Sequence, residues 1–122
     1  MRHTTVNELV GKTLISVKRG EDSLVFITNE GEKYKMEHIQ SCCESVYIES
    51  IVGDLDDLVG SPILIADEST NQDNPPREYV ESFLWTFYKF ATIKGYVDIR
   101  WFGESNGYYS ESVDFYQTLP VW

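Results

Sequence analysis

The chain has only two cysteines among its 122 residues, and they are neighbours, Cys42 and Cys43. Adjacent Cα atoms lie about 3.8 Å apart, short of the usual span of a disulfide, so two reduced thiols in a reducing compartment are expected over the rare alternative of a strained vicinal bridge. The adjacency also argues against zinc. Structural sites use spaced pairs such as C-x2-C, and His38 with Cys42 and Cys43 lacks that spacing. No apolar run approaches the roughly 18 residues of a membrane span. The opening Met1-Arg2-His3-Thr4-Thr5 lacks the apolar core of a signal peptide, so a cytoplasmic protein with no membrane partner is expected.

Cations are scarce as well. Ten Lys and Arg stand against 20 Asp and Glu, a formal net charge of −10, which excludes direct nucleic-acid binding through general phosphate attraction. No P-loop, G-x-G-x-x-G, G-x-S-x-G or H-E-x-x-H is present. The aspartates Asp54, Asp56 and Asp57 do not form a calcium ladder, because Leu55 and Asp57-Leu58 interrupt it. Neither a metal nor a cofactor is expected. An enzyme is the weakest reading. His38 with the cysteines has no evident oxyanion site, and Glu104 with Glu111 would need to stand about 5–10 Å apart in a cleft.

What the chain does have is β-branched and aromatic residues in alternating runs, at a length that suits one domain over 1–122. Lys12–Lys18, Ser23–Thr28 and Glu32–Ile39 alternate between polar turns and predict a three-stranded meander. Ser45–Ile51 predicts a fourth strand. Asp54 as N-cap, the acidic first turn and Gly60 predict one short helix. Pro62–Ala66 predicts a short strand, and the polar stretch 67–80 predicts a mobile surface loop. Glu81–Ile93 carries Phe83, Trp85, Phe87, Tyr88 and Phe90, so both its faces are apolar; it should be a central strand covered on two sides, or on one side by another subunit. The tail from Thr118 to Trp122 is expected to dock on the body or a neighbour. The expected fold is mainly β, with seven or eight mostly antiparallel strands and one short helix.

The stretch Gly95–Phe115 predicts two strands joined at Ser105-Asn106-Gly107, since Asn-Gly between period-2 segments is the strongest short hairpin signal. The turn carries more polar and aromatic groups than a reversal needs. Arg100, Trp101, Glu104, Ser105, Asn106, Tyr108, Tyr109 and Ser110 form the candidate ligand-binding set. Rings stack on a base, an arginine pairs with phosphate, and Ser and Asn bond sugar hydroxyls. The aromatics of this stretch also suit plain cross-strand pairing. Strand alternation points Arg100 and Trp101 to opposite faces, so one simple pocket cannot hold both. Residues 41–82 hold ten carboxylates against Arg77 alone, which concentrates the negative charge in the middle third. That third serves solubility, or offers Asp54, Asp56 and Asp57 as an anionic surface for a basic partner.

The segments HIQSCCESVYIESIVGDLDDLVGSPIL and WTFYKFATIKGYVDIRWFGESNGYYSESV resemble a family of small phage and prophage proteins known as a domain of unknown function. The likeness covers roughly residues 12–66 and 83–115 and is most distinctive at CCESVYIESIVGDLDDLVGSPIL and RWFGESNGYYSESV. It implies a bacteriophage accessory protein working in a host bacterial cytoplasm, and it supplies no activity and no site residues. With it, the first expectation is a non-enzymatic homo-oligomer that sequesters a nucleotide-like host immune signal. The alternatives are an acidic inhibitor that mimics nucleic acid against a basic host nuclease or defence complex such as CRISPR, and a structural or assembly protein.

Overall fold

The predicted meander forms as three antiparallel strands, β2 (Leu14–Arg19), β3 (Ser23–Thr28) and β4 (Lys33–Glu37). Leu24, Phe26 and Thr28 alternate inward on β3, and Tyr34 and Met36 do so on β4. The computed structural model describes residues 1–75, 77–78 and 80–118. Two further strands complete this first sheet: β1 (Arg2–His3) and β9 (Asp114–Thr118), in the order β1-β9-β4-β3-β2. The second sheet has the order β5-β8-β7-β6, built from β5 (Ser45–Val52), β6 (Ile65–Asn71), β7 (Ser82–Thr92) and β8 (Gly95–Ser105). Every strand pairing is antiparallel.

The two sheets face each other across one core. Phe26 of β3 meets Phe90 of β7 at a ring separation of 5.6 Å, and Phe115 of β9 stacks on Tyr34 of β4 at 5.5 Å. Trp101, Tyr88 and Phe90 are the largest contributions of the second sheet to this interior. Aromatic pairs of this kind add about 0.5–1.5 kcal/mol each beyond the area they bury.

The protein is a mainly β single domain, as expected, with nine strands among the described residues. The short helix predicted after Asp54 is a single 3-10 turn, Leu55–Leu58, and the Asp54 carboxylate caps it by accepting the Asp56 N–H at 2.9 Å. A first 3-10 turn covers Val6–Leu9. No helix among the described residues is long and apolar enough to cross a membrane.

Three expectations are corrected. First, Gly95–Phe115 is not a hairpin. β8 pairs with β7 and β5, whereas β9 pairs with β4 and β1, so residues 106–113 carry the chain from one sheet to the other. Gly103 permits this crossover, because a Cβ there would stand 2.4 Å from the Glu111 carbonyl oxygen. Second, the surface loop expected over 67–80 begins later: Asp67–Asn71 extend β6 along β7, from Asp67 opposite Lys89 to Asn71 opposite Trp85. Pro76 and Tyr79 of that loop, and the tail beyond Thr118, lie outside the described residues. Third, Cys42 and Cys43 are not free thiols but a vicinal disulfide, with sulfurs 2.07 Å apart. The chain wraps tightly here around the buried Glu44 carboxylate, which accepts the N–H groups of Ser41 and Cys42 at 2.8 and 2.9 Å.

Candidate functional site

β8 carries four of the eight candidate residues on alternating faces. Trp101 turns into the core and is 0% exposed, with its indole N–H lacking a partner, so it offers nothing to a ligand. Arg100 turns outward. The alternation argument therefore holds. Only Glu104, Ser105, Asn106 and Tyr109 come together, around a recess of about 320 Å³ shared with Arg77 and Cys43. Tyr108 is 87% exposed, and the Ser110 hydroxyl lies 2.7 Å from that of Ser112.

The polar groups of that recess are engaged within the chain. Arg77 pairs with Glu104. Ser82 and Ser105 donate to the two oxygens of Glu111 at 3.1 and 2.9 Å. Ser105 also accepts the N–H of Gly107, and Asn106 accepts that of Tyr108, both local turn bonds. At the wall, burial alone would raise the Glu44 carboxyl, but the Ser41 N–H, His38 and the Cys42 N–H outweigh it and hold it at about 2. With Glu104 and Glu44 as walls, this recess disfavours an anion.

A different arrangement appears on the outer face of the second sheet, the side away from the core. Strand register sets two neighbouring rows across four strands. One row is Ser50–Arg100–Phe87–Ser69, and the next is Val52–Asp98–Lys89–Asp67. Directly opposed residues share a face, so these side chains stand together. They line a concavity of about 510 Å³, within the roughly 300–1,000 Å³ usual for small-molecule sites. A third row, beside the first, places Phe102 next to Trp85, with ring centroids 4.7 Å apart.

Arg100 is fixed here. A bulge between Ile48 and Ser50 leaves Glu49 out of the ladder, and its carboxylate accepts the Arg100 Nε–H at 2.5 Å. That bond holds the Glu49 carboxyl below the usual range. The guanidinium lies 5.4 Å from the Trp85 ring centroid. Its two terminal nitrogens make no hydrogen bond among the described residues. Lys89 lies 5.3 Å from the Tyr96 ring and forms no ion pair among the described residues. Two cations with open donors thus flank the exposed edge of Phe87.

Sequence reasoning placed Arg100 in a site but missed Phe87, Lys89, Ser50 and Ser69. The available signal was the apolar second face of Glu81–Ile93, whose outward positions are Phe83, Trp85, Phe87 and Lys89. The proposed acidic surface is partly occupied too. The Asp54 carboxylate is engaged as a cap on the Asp56 N–H. No group of metal-ligating side chains occurs among the described residues. Over residues 7–115 the chain matches a family described as a domain of unknown function, DUF7448. No curated protein and no solved structure matches it.

Proposed function

The chain belongs to the DUF7448 family, and we propose that it is a non-enzymatic binding protein that takes a nucleotide-like ligand on the outer face of its second sheet. The observation that carries this reading is the pairing of Phe87 with two cations whose donors are open, Arg100 and Lys89, in one concavity. A base stacks on the Phe87 ring, a contact worth about 1–3 kcal/mol. The terminal nitrogens of Arg100 take phosphate oxygens in a fork, already oriented by Glu49 and Trp85. Asp67 and Asp98 flank Lys89, repel phosphate and accept from sugar hydroxyls, as carboxylates do in dinucleotide sites. The row from Ser50 to Ser69 crosses four strands, about 14 Å at the usual strand spacing, which suits a base, a sugar and a phosphate laid across the sheet.

The resemblance to small phage and prophage proteins directs the choice of ligand toward host nucleotide immune signals, sequestered in a bacterial cytoplasm. Titration calorimetry with cyclic nucleotides and ADP-ribose derivatives tests the reading. At least one should bind, and Arg100→Ala and Phe87→Ala should each weaken it roughly 5–150-fold, the equivalent of about 1–3 kcal/mol. Absence of heat with every nucleotide, in a protein of unchanged circular dichroism, refutes it.

A further inference from the structure

β6 is the last strand of the second sheet and pairs on one side only, with β7. Its other edge faces a groove of about 380 Å³ whose far wall is Thr5, Val6 and Asn7. Five consecutive residues, Ala66 to Thr70, line that groove. Side chains of both faces contribute, so the groove follows the backbone edge of the strand and not one face of the sheet. Asp67 through Asn71 are all exposed. An open strand edge of this kind is a template for a further strand.

The chemistry of the edge selects the occupant. Asp67 and Glu68 form no ion pair among the described residues. Glu68 stands directly opposite Tyr88 on the inward face. Tyr88 is 1% exposed, and its hydroxyl has no hydrogen-bond partner among the described residues. Although Glu68 is exposed along the edge, partial desolvation of its carboxyl raises it above its ordinary value, and burial together with that carboxylate pushes the Tyr88 phenol up. No cation pairs with Glu68 among the described residues. A second copy laid on this edge would bring no cation to Asp67 and Glu68, because Ile65–Asn71 contains neither lysine nor arginine, which disfavours self-pairing.

We propose that the open edge of β6 receives an extended segment of a basic partner protein as a fifth strand of the second sheet, its lysine or arginine side chains meeting Asp67 and Glu68. Main-chain bonds supply the attachment, and the carboxylates select a cationic sequence. Glu68 faces inward, away from Phe87, so its side of the edge is separate from the nucleotide concavity, whereas Asp67 and Ser69 line both.

The probe is a short synthetic peptide alternating lysine with valine, added to the full chain and followed by amide hydrogen exchange. Exchange over Ile65–Asn71 should slow about tenfold or more on binding. A peptide of equal charge interrupted by proline, which cannot donate to a ladder, should not produce that protection. A glutamate-for-lysine peptide should not bind, and Glu68→Lys should weaken binding about tenfold while Glu68→Gln weakens it less. Equal binding of the proline peptide, or binding without protection of β6, overturns the proposal. So does concentration-dependent protection of β6 in the absence of peptide, which would make a second copy the occupant.

Discussion

The crossover from Glu104 to Val113 and the outer face of the second sheet differ in how their polar groups are used. The crossover is the denser of the two in polar residues. Yet Ser105, Asn106, Glu111 and Ser82 are engaged with one another or with local backbone, and Glu104 pairs with Arg77. The sheet face has fewer polar residues, but Arg100 and Lys89 line a concavity there, and the outer nitrogens of Arg100 and the ammonium of Lys89 make no hydrogen bond or ion pair among the described residues. Affinity for a ligand depends on donors left open and held in place, not on the number of polar groups nearby. The crossover is therefore construction, and the sheet face is the surface we propose for binding.

The sharpest test of the first half of that contrast is Gly103→Ala. The new Cβ would press on the Glu111 backbone, 2.4 Å from its carbonyl oxygen and 3.2 Å from its carbonyl carbon, which cannot swing aside as a flexible side chain would. Overpacking of this kind costs about 1–3 kcal/mol. Urea unfolding should show that loss, while the folded fraction keeps its nucleotide affinity. Unchanged stability would mean that the crossover does not rest on β8, and the distinction would fail.

How far these two regions were legible from sequence follows from the range of the signals. The meander was readable because its alternation and turns are local. Asn106-Gly107 correctly marks a tight turn, with Gly107 at φ 91°. A local turn signal, however, does not say which sheet the next strand joins. β9 finds its partners in β4 and β1, far away in sequence. Residues 67–71 look like a loop because an exposed edge strand needs few apolar residues; the ladder with β7 decides their conformation. The rows proposed to bind were hidden for a related reason. Ser50, Arg100, Phe87 and Ser69 come from four strands, and only the joint register of three pairings brings them into line.

A smaller effect, readable through pH, probes the anchor beneath the crossover. Glu44 is fully buried and its carboxyl is held at about 2, below the ordinary carboxylate range. A depressed native value means that the ionised form stabilises the fold. That contribution is complete above the unfolded value near 4.3 and is lost as pH falls from there through about 2. Glu44→Gln should therefore be less stable than the parent at pH 7, with the gap closing between about pH 5 and pH 2. A gap that stays constant across that range would remove the charged carboxylate as the organiser of the 38–44 loop.

The smallest effect falls on the residue that looks most like a ligand platform. Tyr108 is 87% exposed, and its only aromatic neighbour among the described residues is Tyr109, at 6.1 Å between ring centroids. Its backbone N–H, not its ring, makes the turn bond to Asn106. Removing the ring takes away almost no buried area, so Tyr108→Ala should change stability by less than about 0.5 kcal/mol. Nucleotide affinity should also stay within about twofold of the parent, because the ring lies outside both rows that line the concavity. A large loss of affinity in this variant, with Phe87→Ala unaffected, would reverse the contrast. The turn would then hold the ligand, and the cations of the sheet face would serve only the packing of its aromatic rows.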